Sequence, residues 1–171
     1  MQQWLPRPWE QPQTEFPGIV PIKTLIFERT DQAAIAITGL SAYTNGFEIS
    51  VTALIHPDAP GFDAEMPNRA MLLHQPYQIS LRLADGRQVV SERPYDDPEP
   101  TEPFIWPRGG GGTSHYRHSR WWAWPLPPSG PLEFICQWPT IKANEMRVSI
   151  DAQLILDAAE QSVQLWSAGQ A

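Results

Sequence analysis

Proline interrupts this sequence so often that short strands are favoured over long helices. The chain of 171 residues contains 19 prolines and 11 glycines, and proline ends a helix or a central strand because it has no backbone N–H and a fixed φ. Frequent proline and glycine predict many chain reversals between short elements. The 8 tryptophans add large aromatic surfaces that a fold must bury, so we expect a β-rich protein.

The segment Phe47–Ile55 has the clearest strand pattern. Apolar side chains recur at every second position, and the residues between them are mostly polar. This period of two predicts one buried face and one solvated face. The preceding dipeptide Asn45-Gly46 predicts a type I′ hairpin turn, because that turn needs two residues that tolerate positive φ.

Similar apolar runs predict further strands at residues 19–28, 31–40, 115–124, 132–138 and 146–150. We expect the strand at 132–138 to be the antiparallel neighbour of the strand at 115–124. Asp85-Gly86 predicts a second hairpin, between strands that start at Tyr77 and return through Val89. Loops are expected at residues 57–76, with a helical turn at 66–73, and at the acidic residues 92–102.

The C-terminal part of the chain changes character. Apolar residues fall at helical spacing over residues 151–166, in a stretch without proline or glycine, which predicts one helix with Asp151 as its N-cap. The expected fold class is therefore all-β: a single antiparallel β-sandwich of about seven or eight strands, immunoglobulin-like in architecture, with one C-terminal helix. It divides into an extended N-terminal arm, residues 1–18, and a β-sandwich domain, residues 19–171.

The arm is rich in proline and carries the aromatic residues Trp4, Trp9 and Phe16. Four prolines prevent a helix here, so the arm should be extended. Large apolar side chains are usually buried in their own fold, which favours an arm that lies across its own domain. The alternative is a docking arm for a partner or for a second protomer.

Charge and composition exclude several partner classes. The net charge is -7 and the pI is about 5.0, with basic residues scattered along the chain, so we expect no nucleic-acid and no anionic-membrane partner. No segment approaches the ~18 apolar residues of a membrane span, and the N-terminus lacks a secretory signal. The single cysteine cannot form an internal disulfide. These features predict a cytoplasmic protein.

Known site chemistries find little support. The run Gly109, Gly110, Gly111 and Gly112 lacks the following helix and lysine of a phosphate loop. We interpret it as a flexible segment before a strand, or as glycines that are needed because another backbone or a ligand approaches closely. His115 and His118 point to opposite faces of a strand and cannot chelate one ion there. A metal site would require both to lie in a loop, with His56 or His74 as a further ligand. We expect no metal and no cofactor. Cys136 shares a strand face with apolar residues, which is typical of an inert buried thiol.

The strand at residues 115–124 places indoles on both faces. Trp122 and Trp124 share one face and Trp121 lies on the other. We expect Trp122 and Trp124 to lie between two sheets and Trp121 to lie on the outside, covered by the arm or the helix or exposed to a ligand. An aromatic and arginine platform suits a sugar ring, a cationic ligand or a proline-rich peptide. The candidate binding residues are Trp121, Arg120, His118, Trp4 and Trp9.

Several of these motifs together resemble a group of uncharacterised bacterial proteins, common in actinobacteria. The resemblance covers most of the chain beyond the arm. It rests on the glycine run, Trp122-Ala123-Trp124-Pro125-Leu126-Pro127-Pro128, Gly130-Pro131-Leu132, Phe134, Cys136, Trp138-Pro139, Leu165-Trp166, and Tyr43 with Gly46-Phe47-Glu48. It implies a lineage but no activity and no catalytic residues.

Three functions are compatible with these observations. The first is a non-enzymatic binding or protein-interaction module, with self-association through the arm as one route. The second is a small hydrolase with a site near residues 109–112, using His115, His118 and nearby serines. The third is a carbohydrate-binding domain that uses Trp121 or Trp122. A small-molecule or glycan ligand fits the first and third.

Overall fold

The computed structural model describes residues 7–58, 77–91, 99–113, 115–139, 141 and 144–166. In these ranges the chain is mostly β, with several antiparallel sheets and one α-helix, so the predicted all-β class is confirmed. Most of the expected loop at residues 57–76, with its helical turn, lies outside the described residues. So do Trp4 and much of the acidic loop at residues 92–102.

The described part of the chain contains twelve short or medium strands and one helix, joined by turns and loops. The helix, α1, is Gln153–Glu160. The strands are β1 (Glu15–Phe16), β2 (Gly18–Ile19), β3 (Leu25–Arg29), β4 (Ala33–Ala42), β5 (Phe47–Ile55), β6 (Gln78–Arg82), β7 (Gln88–Val89), β8 (Phe104–Gly112), β9 (Tyr116–Trp124), β10 (Pro131–Gln137), β11 (Met146–Asp151) and β12 (Val163–Gln164).

The strands form three sheets. The largest has the order β2-β4-β5-β9-β8, with β3 also paired to β4, and the second has the order β11-β10-β6-β7. Strands β1 and β12 pair as a separate two-stranded ribbon. The registers of these pairs are antiparallel throughout.

Buried side chains from both larger sheets and from α1 form one hydrophobic cluster. Strand β5 contributes every second residue, as its alternation predicted. The helix contributes Ile155, Ala158 and Ala159. Full burial of an aliphatic side chain stabilises a fold by ~1.5–3 kcal/mol, so this shared cluster is the main reason for the sheets to pack together.

Both predicted hairpins form, but the first does not use the predicted turn. Among the described residues positive φ occurs at Gly86, Gly109 and Gly130, so Asn45-Gly46 is not a type I′ turn. Glycine is needed at position 46 for space, because a Cβ there would lie 2.5 Å from the backbone oxygen of Ala123. At the second hairpin, Gly86 has the positive φ expected of it, 89°.

Two expectations around the glycine run are wrong. Strand β9 pairs with β5 and β8, whereas β10 belongs to the four-stranded sheet, because the proline-rich connection after β9 carries the chain to the other sheet. The glycines are the second half of strand β8 rather than a flexible segment, and they pair in register with Arg117 through Arg120 of β9. The alternative, that another backbone approaches these glycines closely, is confirmed at Gly110 and Gly112.

The helix is shorter than the predicted 151–166. Its N-cap is Ala152, and Asp151 acts one position earlier by accepting a hydrogen bond from the backbone N–H of Gln153 at 3.0 Å. The helix ends where the Ser162 hydroxyl donates to the carbonyl oxygen of Ala159 at 2.7 Å, and the chain then enters β12. Within the described ranges, no helix is long and apolar enough to cross a membrane.

Candidate binding surface

The two faces of β9 are the reverse of the prediction. Trp121 lies opposite Ile49 of β5, on the buried side of the sheet, and only 4% of Trp121 is exposed. The prediction that Trp121 points outward was therefore wrong. Alternation within β9 could not decide the question, because both faces carry indole; the register with β5 decides it.

The outer face of the six-stranded sheet carries mainly polar side chains. We define this outer face as the residues of β5 and β9 that point away from the core: Glu48, Ser50, Thr52 and Leu54 of β5, and Tyr116, His118, Arg120 and Trp122 of β9. Two of the predicted binding residues, His118 and Arg120, lie here in successive cross-strand rows, opposite Thr52 and Ser50. Arg120 is exposed and His118 is half-buried.

The arm covers one end of the outer face. Trp122 is 2% exposed, its indole Nε1 donates to the backbone oxygen of Trp9 at 2.9 Å, and the Tyr43 ring meets it edge to face at 5.6 Å. The Gln11 amide donates to the Tyr43 hydroxyl at 3.0 Å and to Glu48 at 2.9 Å. Burial raises the pKa of the Tyr43 hydroxyl above its usual 10.0. The backbone of Trp9 is thus bonded to a tryptophan of its own chain.

Asn45 fastens the arm to the β4–β5 hairpin. Its amide nitrogen donates to the backbone oxygens of Pro8 and Glu10, both at 2.8 Å. Glu15 accepts a hydrogen bond from the backbone N–H of Thr44 at 2.8 Å. Glu15 and the backbone of residues 8–10 thus hydrogen-bond to the β4–β5 hairpin and to β9 of their own chain. The role of Asn45 is thus to donate two hydrogen bonds from its side-chain amide to the arm.

Strand β8 forms an exposed edge of the six-stranded sheet. It pairs with β9 on one side, and residues 107–113 are all exposed. A register shift between Pro107 and Gly109 makes Arg108 an extra residue in a β-bulge. We call residues 109–112 the glycine edge.

Glycine is required at alternate positions of this edge. A Cβ on Gly110 would lie 2.1 Å from the backbone oxygen of His118, and one on Gly112 would lie 2.0 Å from that of Tyr116. Non-bonded atoms do not approach each other this closely, so both positions need glycine. Gly111 has nothing within 4 Å of its missing Cβ, which leaves open space beside the strand.

The ladder leaves backbone groups of the glycine edge facing outward. The N–H of Thr113 donates to the oxygen of Tyr116 at 2.8 Å. Hydrogen-bonded and non-hydrogen-bonded pairs alternate along antiparallel strands, so Gly111 and Gly109 bond to β9. The N–H and C=O groups of Gly110 and Gly112 therefore point away from β9.

The β8–β9 hairpin is cationic in an otherwise acidic protein. Between Glu102 and Glu133 the sequence contains no aspartate or glutamate but has Arg108, Arg117 and Arg120. The net charge of the whole chain is -7. Arg108 and Arg120 thus place positive charge beside the glycine edge, whereas Arg117 interacts with Tyr77 on the other face of β9.

Of the residues named for the predicted hydrolase site, Ser114 lies outside the described residues, and Ser119 and His118 lie on opposite faces of β9. Ser119 is buried, bonds to the hydroxyl of Tyr77 and accepts a hydrogen bond from the indole of Trp121 at 3.1 Å. His118 lies on the other face of β9, so it does not activate this serine. Burial raises the pKa of Tyr77, which keeps its hydroxyl protonated. This arrangement is that of a structural hydrogen-bond cluster.

Two further expectations concern the thiol and metal ligands. Cys136 is buried, as predicted, and burial raises the pKa of its thiol to about 12, so it is an inert thiol at neutral pH. In the part of the chain that the structure describes, no group of three or more His, Cys, Asp or Glu side chains is placed to hold a metal ion.

The candidate binding residues His118 and Arg120 lie on the outer face, which is the side of β9 that was expected to pack between two sheets. The glycine edge was not predicted as a surface. The available signal was four glycines flanked by Arg108 and a strand without acidic residues, a pattern that permits an edge strand with no covering side chains. No protein-family model, curated protein or solved structure matches the chain.

Proposed function

We propose that the protein is a non-enzymatic protein-interaction module that binds an extended segment of a partner at the glycine edge. The observation that supports it is the pair of outward N–H and C=O groups on Gly110 and Gly112, in an exposed edge strand. An extended peptide adds to such an edge by making these backbone hydrogen bonds. Edge strands without side chains offer this ladder without steric hindrance.

The binding segment is short. Pro107 has no N–H, and the bulge at Arg108 interrupts the ladder, so a docked strand runs from about Gly109 to Thr113. Each net hydrogen bond contributes only ~0.5–1.5 kcal/mol. We therefore expect weak, reversible binding that needs side-chain contacts for specificity.

The test is a nuclear magnetic resonance titration of the protein with short, extended synthetic peptides. We expect the amide signals of Gly110 and Gly112 to shift on binding. The matched control is the same peptide N-methylated at alternate residues, which cannot form the ladder. If no peptide of the set perturbs these two amides, or if the N-methylated peptides act equally, edge addition is wrong.

A second candidate is self-association through the β1–β12 ribbon. Phe16 lies directly opposite Val163, and Leu165 donates its N–H to the oxygen of Thr14 at 2.8 Å, so the register places the three apolar side chains on one face. They are 64%, 55% and 41% exposed. An exposed apolar face of this kind is a common surface for association between two copies of a chain.

Light scattering over a range of concentrations tests this second candidate. We expect the unmodified protein to show a concentration-dependent dimer and the variant Phe16→Ser with Val163→Thr to remain monomeric. The matched control is Leu54→Ser, an exposed apolar residue at the far end of β5. A protein that stays monomeric throughout rules out the ribbon as an interface between two copies.

The architecture proposed with this function is an immunoglobulin-like sandwich. Support comes from the two larger antiparallel sheets, which contribute to one hydrophobic cluster. In such sandwiches the edges and outer faces of the sheets are common binding surfaces. The glycine edge belongs to that class of surface.

A further inference from the structure

We infer that the segment bound at the glycine edge is acidic, with carboxylate side chains at alternate positions opposite Gly109 and Gly111. This inference rests on the proposed function, since it names the chemistry of the segment that docks there. It follows from the register of β8 and β9, from the absence of side chains on the edge, and from the distribution of charge.

The register places the partner's side chains in line with Arg120 and His118. Gly109 is directly opposite Arg120, and Gly111 is directly opposite His118. Residues directly opposite each other on neighbouring strands share a face of the sheet. A partner residue opposite Gly109 or Gly111 therefore points to the outer face, in the same row as Arg120 or His118.

Because Gly109 and Gly111 have no side chains, nothing on β8 separates the partner's side chains from Arg120 and His118. Neighbouring strands are ~4.8 Å apart, so the partner strand lies roughly 10 Å from β9. With glycine in the intervening strand, no side chain stands between them. The long side chains of arginine and glutamate can meet across this gap, above the backbone of β8.

The charges around the outer face favour a carboxylate. The titratable groups that face Arg120 from the neighbouring strand are few: Glu48 lies one row away, opposite Trp122, and accepts a hydrogen bond from Gln11 at 2.9 Å. Arg120 interacts electrostatically with the hydroxyl of Tyr43, and its side chain is exposed on the outer face. Arg108, in the exposed bulge, adds a further positive charge at the end of the docking segment.

The experiment compares three synthetic peptides of equal length in which threonine alternates with glutamate, glutamine or lysine. Each is titrated into the full chain at low salt, with Gly110 and Gly112 amide shifts and fluorescence anisotropy as readouts. We expect the glutamate peptide to bind roughly three- to tenfold more tightly than the glutamine peptide, since exposed ion pairs are individually weak. The lysine peptide should bind least, and added salt should reduce the difference.

Two variants locate the effect. Arg120→Gln should bring the affinity for the glutamate peptide down to that for the glutamine peptide, without changing thermal stability. Arg29→Gln, an exposed arginine at the end of β3, is the matched control and should leave both affinities unchanged.

The outcomes separate the two proposals. Equal binding of the glutamate and glutamine peptides, or a preference that survives Arg120→Gln, overturns the acidic segment but leaves edge addition standing. Absence of binding by all three peptides overturns both. A dimer of the unmodified protein that is lost in Gly111→Val identifies a second copy as the occupant and also overturns the acidic segment.

Discussion

The indole Nε1 of Trp122 donates a hydrogen bond of 2.9 Å to the backbone oxygen of Trp9, across 113 residues of chain. This contact joins the arm to the outer face of the six-stranded sheet. The ring that donates this bond also meets Tyr43 edge to face. The arm is thus part of the domain's packing at this end of the sheet.

Removing this donor should loosen the arm. Trp122→Phe keeps an aromatic ring but loses the N–H, and we expect unfolding free energy to fall by ~1–3 kcal/mol, from the lost hydrogen bond and the smaller ring. Urea denaturation measures this change, and limited proteolysis in the arm should become faster. Trp166→Phe, at a 50% exposed tryptophan, should change neither. Equal effects of the two substitutions would contradict a specific role for the Trp9 contact.

Asn45 provides an independent test of the arm's attachment. Asn45→Asp is nearly isosteric, but it replaces an amide that donates to Pro8 and Glu10 with a carboxylate that faces their carbonyl oxygens. We expect a loss of ~2–3 kcal/mol of unfolding free energy at neutral pH. The loss should shrink as the pH is lowered and the carboxylate is protonated. Asn144→Asp, at an exposed asparagine, is the control; similar curves for both variants would count against the two hydrogen bonds.

Local patterns in the sequence predicted the strands better than their partners. The alternation of Phe47–Ile55 identified both faces of β5, because side-chain direction depends only on neighbouring residues. For Trp121 and Trp122 the same rule allowed either ring to face the core. The register with β5 decides which one does, and an arm more than 100 residues away covers the other. The glycine edge was not predicted as a strand, because glycine is generally depleted in strands. Here the close approach of the His118 backbone requires glycine at position 110.

The Ser119 cluster should be strongly coupled. Ser119→Ala leaves the buried N–H of Trp121 and the hydroxyl of Tyr77 without this acceptor, and we expect a loss of ~2–4 kcal/mol of unfolding free energy. Tyr77→Phe removes one partner and should cost less. Because the two substitutions delete one shared hydrogen bond, the double variant should be more stable than the sum of the single effects predicts. A double-mutant cycle in urea measures this, and strict additivity would contradict the Tyr77–Ser119 bond.

Stability should decrease in alkaline solution because of Cys136. Burial raises the pKa of its thiol to about 12 from 9.0, so the folded state holds the proton more tightly than the unfolded state. The contribution is fully present below pH ~9 and is lost as the pH rises toward 12, at up to ~1.4 kcal/mol per pH unit. Tyr77, whose pKa burial raises above 10.0, adds to the loss at higher pH.

Urea denaturation under reducing conditions measures this dependence. Cys136→Ala should lower stability at neutral pH through the small cavity that it leaves. Between pH 9 and 10 its stability should fall less steeply than that of the unmodified protein. Parallel curves for the two proteins in this range would show that ionisation of Cys136 is not responsible.

Alternate glycines of β8 should respond in opposite ways to alanine. Gly110→Ala places a Cβ 2.1 Å from the backbone oxygen of His118, so strand β8 must separate locally from β9, at a cost of at least ~1–3 kcal/mol. Gly111→Ala meets nothing within 4 Å and should be neutral or slightly stabilising, because alanine restricts the unfolded chain. Thermal denaturation of the two variants, which differ only in position, gives the comparison. Equal melting temperatures would show that β8 does not approach β9 as closely as the structure has it, and the outward direction of the Gly110 and Gly112 backbone groups would lose its basis.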